Sequence, residues 1–211
     1  DWDGFRESLL QILEDPDTSI PEEWIVEPGS SASIFHTTSW KGPSTLTLLL
    51  LDTTTSGSCE RSARVKQFLI AGDGDGNTPL HLACANLEPC VGTTEDIFAA
   101  SIDFSVIKNL LLLAPETLGM ANNVGDTPMH LLLASEAFRR NDSIAVEAAA
   151  EEAIESLMMM AKHLSVLQND AGLTILHVAI ANRCHERVLV RLLNMAPDEI
   201  ATIADKNGML P

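Results

Sequence analysis

From about residue 70 onward the chain repeats one pattern of polar and apolar positions. Three segments align without gaps: DGDGNTPLHLACAN at 73–86, NNVGDTPMHLLLAS at 122–135 and NDAGLTILHVAIAN at 169–182. A fourth begins as DKNGMLP at 205–211. Apolar stretches at helical spacing follow at 106–113, 154–167 and 188–195, so each unit predicts two helices behind one turn. Gly76, Gly125, Gly172 and Gly208 sit where a tight turn needs positive φ. Thr78, Thr127 and Thr174 fall at the helix N-cap, and Pro79 and Pro128 then occupy the first helical position, where a missing N–H costs nothing. Leu80, Met129 and Leu176, with Ala83, Leu132 and Ala179, form one apolar face, and its small members permit close helix packing. The glycine spacings are 49, 47 and 36, which predicts insertions at 87–104 and 136–153. The second insertion reads as a helix from a cap at Ser143 that lengthens the second helix of its unit.

Ahead of the repeats the pattern changes. Trp2, Phe5, Leu9, Ile12 and Leu13 recur at helical spacing and predict an amphipathic helix over 2–14, ended by Pro16 and Pro21. Such a helix would cover the apolar face of the first unit; a partner-binding or autoinhibitory role is the alternative. Residues 28–45, rich in Gly, Ser, Thr and Pro, predict loop. The segments 42–52 and 61–72 predict a degenerate first unit with Thr45 as its cap and Val65, Phe68 and Leu69 on its second helix, without the histidine or the leading Asp. The chain thus divides into an acidic capping helix and loop at 1–40 and a stack at 41–211. Within the stack a degenerate unit spans 42–72, further units start at 73, 122 and 169, and a truncated one starts at 205. Pro211 would be the first residue of a helix, and the opening DWDGFRESLL lacks an initiator Met, so a processed form or a fragment of a longer protein is expected.

Composition narrows the chemistry. Of 211 residues 45% are apolar, enough for a core, while 13 Lys and Arg against 30 Asp and Glu give a net charge of −17. Nine of those acids stand in the first 28 residues beside a single base, Arg6. A chain this acidic repels phosphate, which argues against nucleic acid and against anionic membrane surfaces as partners. No apolar run approaches the roughly 20 residues of a membrane-spanning helix. Four cysteines, Cys59, Cys84, Cys90 and Cys184, are too few for a disulfide scaffold of this size, so free thiols in a reducing, intracellular compartment are expected, the cytoplasm or an organelle.

The T-P-L-H-x-A match at 78–83, T-P-M-H-L-L at 127–132 and T-I-L-H-V-A at 174–179, each behind a D/N-x-x-G lead, resemble the ankyrin repeat. The motifs cover 73–211, and the Pro–acid pairs in LLLLAPETLGMANNVG and LLNMAPDEIATIADKNG are similar in style to ankyrin sequences of diatoms and related algae. The resemblance implies an all-α solenoid of helix–turn–helix pairs with short β-turn fingers. It also implies a framework role for His81, His130 and His177, which hydrogen-bond within and between turns.

Other chemistry is poorly supported. The three histidines lie in different units, near 10 Å apart across packed helices, too far to share one metal ion. Cys84 and Cys90 lack a second ligand pair. GDGDGN at 72–77 follows no strand and lacks a glutamate at the twelfth position of a calcium loop, so it reads as a repeat turn. Leu157, Met158, Met159, Met160 and Ala161 point around a helix, so not all can be core; one or two are expected to face the neighbouring unit, and a Met-rich contact surface for a partner is the alternative. No catalytic grouping has local support, and no cofactor is expected.

The resemblance therefore implies a non-catalytic scaffold or adaptor that binds another protein through its concave surface. Alternatives are the ankyrin part of a larger enzyme, transporter or regulator, and a structural subunit of a large assembly held by its insertions. Carried over by repeat position, the contact residues are Asp75, Asn77 and Asn86; then Asn123, Val124, Asp126 and Ser135; then Asp170, Leu173 and Asn182, with Gly74, Ala85, Ala134, Ala171 and Ala181 beside them. Asp75, Asp126 and Asp170 make this strip mildly acidic, which favours a basic or polar partner surface. The strip lacks Tyr and Trp.

Overall fold

The computed structural model describes residues 33–41, 66–87, 89–90, 101–102, 104–139 and 144–211. The expected helix at 2–14, the caps Thr45 and Ser143, and Val65 lie outside these residues.

The described chain is an all-α solenoid of two helical layers with turn fingers projecting from one edge. The inner layer is α1 (Ile34–Lys41), α2 (Pro79–Ala85), α4 (Pro128–Ala134) and α6 (Ile175–Ala181). Each packs on the next in that order. The outer layer is the helical stretch 66–70, α3 (Ser105–Leu113), α5 (Ile144–Ala161) and α7 (Glu186–Met195). Three outer helices run into 3-10 turns, at Pro115–Gly119, Lys162–Val166 and, after α7, Asp198–Ala201. Between the layers lies one continuous core that includes Leu80, Leu110, Met129, Leu132, Ile154 and Leu192. No inner helix exceeds eight residues, and an isolated helix that short is marginal in water, so it is this shared core that holds them.

The loop expected over 28–45 is corrected by α1. Ser33, Ile34, Phe35 and His36 take the places of Thr78, Pro79, Leu80 and His81, and His36 is the histidine that the first unit had lacked. The physical requirement is a hydroxyl three residues before an imidazole, which Ser33 meets without the Gly or Pro of the other units.

Both insertions have structure. The first carries a two-residue antiparallel ladder, β1 (Pro89–Cys90) against β2 (Ser101–Ile102), with Pro89 opposite Ile102. This small ladder is the one departure from helix among the named elements. The second forms a 3-10 turn at Glu136–Phe138 and the 18-residue α5, which lengthens the second helix of its unit. Leu157, Met158 and Ala161 of α5 are buried, whereas Met159 and Met160 face solvent.

Candidate partner-binding surface

Each finger is built on one side-chain oxygen. Asp73 Oδ1 accepts from the backbone N–H groups of Asp75 (2.9 Å) and Asn77 (2.8 Å). Asn122 does the same for Val124 and Asp126, Asn169 for Ala171 and Leu173, and Asp205 for Asn207 and Met209. Those donated bonds, first that of Met209, hold the Asp205 carboxyl below its usual range. The turn closes through Gly76, Gly125, Gly172 and Gly208, at φ of 78°, 79°, 80° and 79°.

Neighbouring fingers then join edge to edge. The N–H of Asn123 donates to the Asp75 carbonyl (2.9 Å), that of Asp170 to Val124 (3.0 Å) and that of Lys206 to Ala171 (3.2 Å). The approach is close enough that a Cβ on Gly125 would stand 2.6 Å from the Asp170 nitrogen.

The histidines tie fingers to helices. The Thr78 N–H donates to His81 Nδ1 (3.1 Å), and the Thr78 hydroxyl lies 2.9 Å from the same nitrogen. His81 Nε2 reaches the Asp126 carbonyl of the next finger at 3.0 Å. His130 and His177 repeat this with Thr127 and Thr174 behind and the Leu173 and Met209 carbonyls ahead. In the first unit His36 takes the Ser33 N–H and reaches the Asn77 carbonyl at 2.9 Å. A backbone N–H only donates and a carbonyl only accepts, so each ring is neutral with its proton on Nε2. Burial holds the pKa values of His36, His81 and His130 below their ordinary 6.5. These rings have no nitrogen left for a metal ion or a substrate.

Two thiols are inert for the same physical reason. Burial drives the Cys84 thiol far above its usual range and pushes Cys184 up to about 12, so neither is a thiolate at neutral pH.

Against this framework the ten strip residues separate into two sets. Asp75, Asn86, Asn123, Val124 and Asp170 are exposed, and Val124 is an apolar tip 56% open to solvent. Asn123 is exposed yet also ties two fingers, its Nδ2 donating to the Gly74 carbonyl at 3.1 Å. The other five serve the stack. Asn77 Oδ1 accepts from Asn122, and Asp126 Oδ1 from Asn169 at 2.7 Å. The Leu173 carbonyl holds His130, and Asn182 Nδ2 donates to the Leu133 and Ser135 carbonyls. Ser135 is only 4% exposed, its hydroxyl turned back to the Leu132 carbonyl, so its place in the exposed strip is corrected.

Sequence reasoning also missed part of the strip. With Ser33 matched to Thr78, Trp40 and Lys41 stand in the register of Ala85 and Asn86. The signal was the Ser-x-x-His at 33–36, hidden because no D/N-x-x-G precedes it. Among the described residues no three His, Cys, Asp or Glu side chains gather as a metal set, and no helix is long and apolar enough to cross a membrane.

Residues 75–93 match the family model for the ankyrin repeat. No curated protein matches the sequence.

Proposed function

We propose that this ankyrin-repeat protein is a non-catalytic scaffold or adaptor that holds a protein partner along its finger tips and inner helices. Ankyrin repeats are a protein–protein interaction module, and the repeated framework explains why. Caps, glycines and histidines spend their polar groups on the stack, so tips such as Asp75, Val124 and Asp170, whose side chains take no part in it, vary at little cost to the fold. One observation carries the reading: Asp75, Asn123, Val124 and Asp170 stay exposed on adjoining fingers whose backbones are locked edge to edge. A rigid row of tips presents a preorganised surface, which lowers the entropic cost of binding.

The exposed charges of that row are Asp75, Asp170 and, on the last finger, Lys206; the half-buried Asp73, Asp126 and Asp205 leave the balance acidic, which favours a basic or polar partner surface. The acidic charge balance argues against nucleic acid, and we assign no cofactor and no membrane insertion. The strip extends to α1, whose register puts Trp40 at the position of Ala85, and Trp is among the residue types most enriched at binding hot spots.

The test is a paired affinity capture from native extract. One bait is the parent protein and the other carries Asp75→Arg and Asp170→Arg. Both positions are exposed, so the variant keeps the parent's circular dichroism and melting temperature. Asp126 is left untouched because Asn169 depends on it. A partner held by the parent and lost by the variant supports the reading. A partner held equally by both moves the contact to the insertions, with β1, β2 and α5, and favours the assembly-subunit reading. If neither bait retains a protein, the scaffold reading fails.

A further inference from the structure

The outer helices are unevenly packed. α5 lies along α7 and rests on β2, but it stands away from α3. The gap is an apolar groove of about 250 Å³. Phe104, Leu111 and Leu112 line it on one side, and Ala153, Leu157 and Met160 on the other. Ala153 and Ser156 are too small to close it. Leu112 is 79% exposed and Met160 53%, so two large apolar side chains stand in water at its rim. The volume falls below the roughly 300–1,000 Å³ of small-molecule sites and suits the side chains of a docked helix. One charged residue lines the groove, Lys108, and among the described residues it has no carboxylate partner.

We propose that the amphipathic sequence at residues 2–14 of the same chain docks in this groove. Trp2, Phe5, Leu9 and Ile12 follow one another at intervals of three, four and three residues, the spacing by which a helix presents anchors to a groove. Asp1, Asp3, Glu7 and Glu14 outnumber Arg6, so the segment brings negative charge to the lysine of an otherwise acidic molecule. The tether suffices. The 19 residues from Glu14 to Ser33 span up to about 60 Å when extended. The groove between the second and third units lies only a few helix spacings of about 8–10 Å from the first. Tethering makes the encounter intramolecular, at an effective concentration on the order of millimolar. The inner strip stays free, and a partner with its own acidic amphipathic helix competes for the groove.

The test places a photo-crosslinking amino acid at Leu112 of the full chain, an exposed position that tolerates the change. Irradiation and peptide mapping should give a crosslink within one chain to residues 2–14, in a yield independent of protein concentration. Phe5→Asp with Leu9→Asp should abolish it, and Lys108→Glu should lower its yield at least threefold. A crosslink to a second copy, a crosslink to another segment of the chain, or none at all would overturn the proposal.

Discussion

At the scale of single residues, the stack depends on histidines that stay neutral. The unfolded chain binds protons near pH 6.5, whereas burial makes His36, His81 and His130 bind them only at lower pH. The unfolded state therefore takes up protons first as pH falls, and stability drops with it. The melting temperature should be flat from pH 8 to about 6.5 and then fall before the carboxylates titrate; a flat profile down to pH 5 would contradict this. His130→Leu should cost about 1–3 kcal/mol for each orphaned backbone group in denaturant unfolding. His177→Leu should cost less, because its Met209 partner is exposed and water can replace the ring. Gly125→Ala should destabilise by about 2 kcal/mol or more, since positive φ alone costs about 1–2 kcal/mol for an L-residue and the new Cβ meets backbone. His81, His130, His177 and Gly125 were legible in the sequence because each obeys a local rule, a glycine where the turn needs positive φ or a threonine three residues before an imidazole; His36 was not, because no D/N-x-x-G precedes Ser33. The division of the strip was not legible. Asp126 and Asn169 are 43 positions apart, and only the stack shows that they are partners.

At the scale of elements, the insertions decide how the outer layer packs. Glu147, Glu151 and Glu155 recur every fourth residue on α5 and face Arg187 and Arg191 on α7, with Arg191 2.9 Å from Glu151. The groups are partly exposed, so Arg191→Ala should cost only about 0.5–1 kcal/mol at low salt. Most of that loss should vanish at 1 M salt, as measured by thermal unfolding. The end of α6 offers a contrasting change. Arg183 holds φ of 55°, a left-handed conformation usually reserved for glycine. Arg183→Gly should raise stability by roughly 0.5–1 kcal/mol, the difference between relieved strain and the extra entropy of glycine. The lengths of the insertions, and the helical character of the second, could be read from glycine spacing and periodicity. The groove between α5 and α3 could not, because it is lined by two segments more than 40 positions apart in the sequence that only the stack brings together. α1 was misread for a related reason: composition said loop, and only the seating of His36 on the next finger shows a repeat.

At the scale of the whole molecule, four inner helices and the four fingers at 73–76, 122–125, 169–172 and 205–208 line one edge, on which acids outnumber the exposed Lys206. The central claim is that this edge holds the partner. If Trp40 anchors its first end, Trp40→Ala should weaken binding at least tenfold while leaving the cap at Ser33 and His36 in place. The most direct measurement is hydrogen exchange of the protein alone and saturated with the captured partner. New protection should appear at the fingers around 74–76, 123–125 and 170–172 and along α2, α4 and α6. Protection confined to α3, α5 and α7, with the fingers unchanged, would contradict the account.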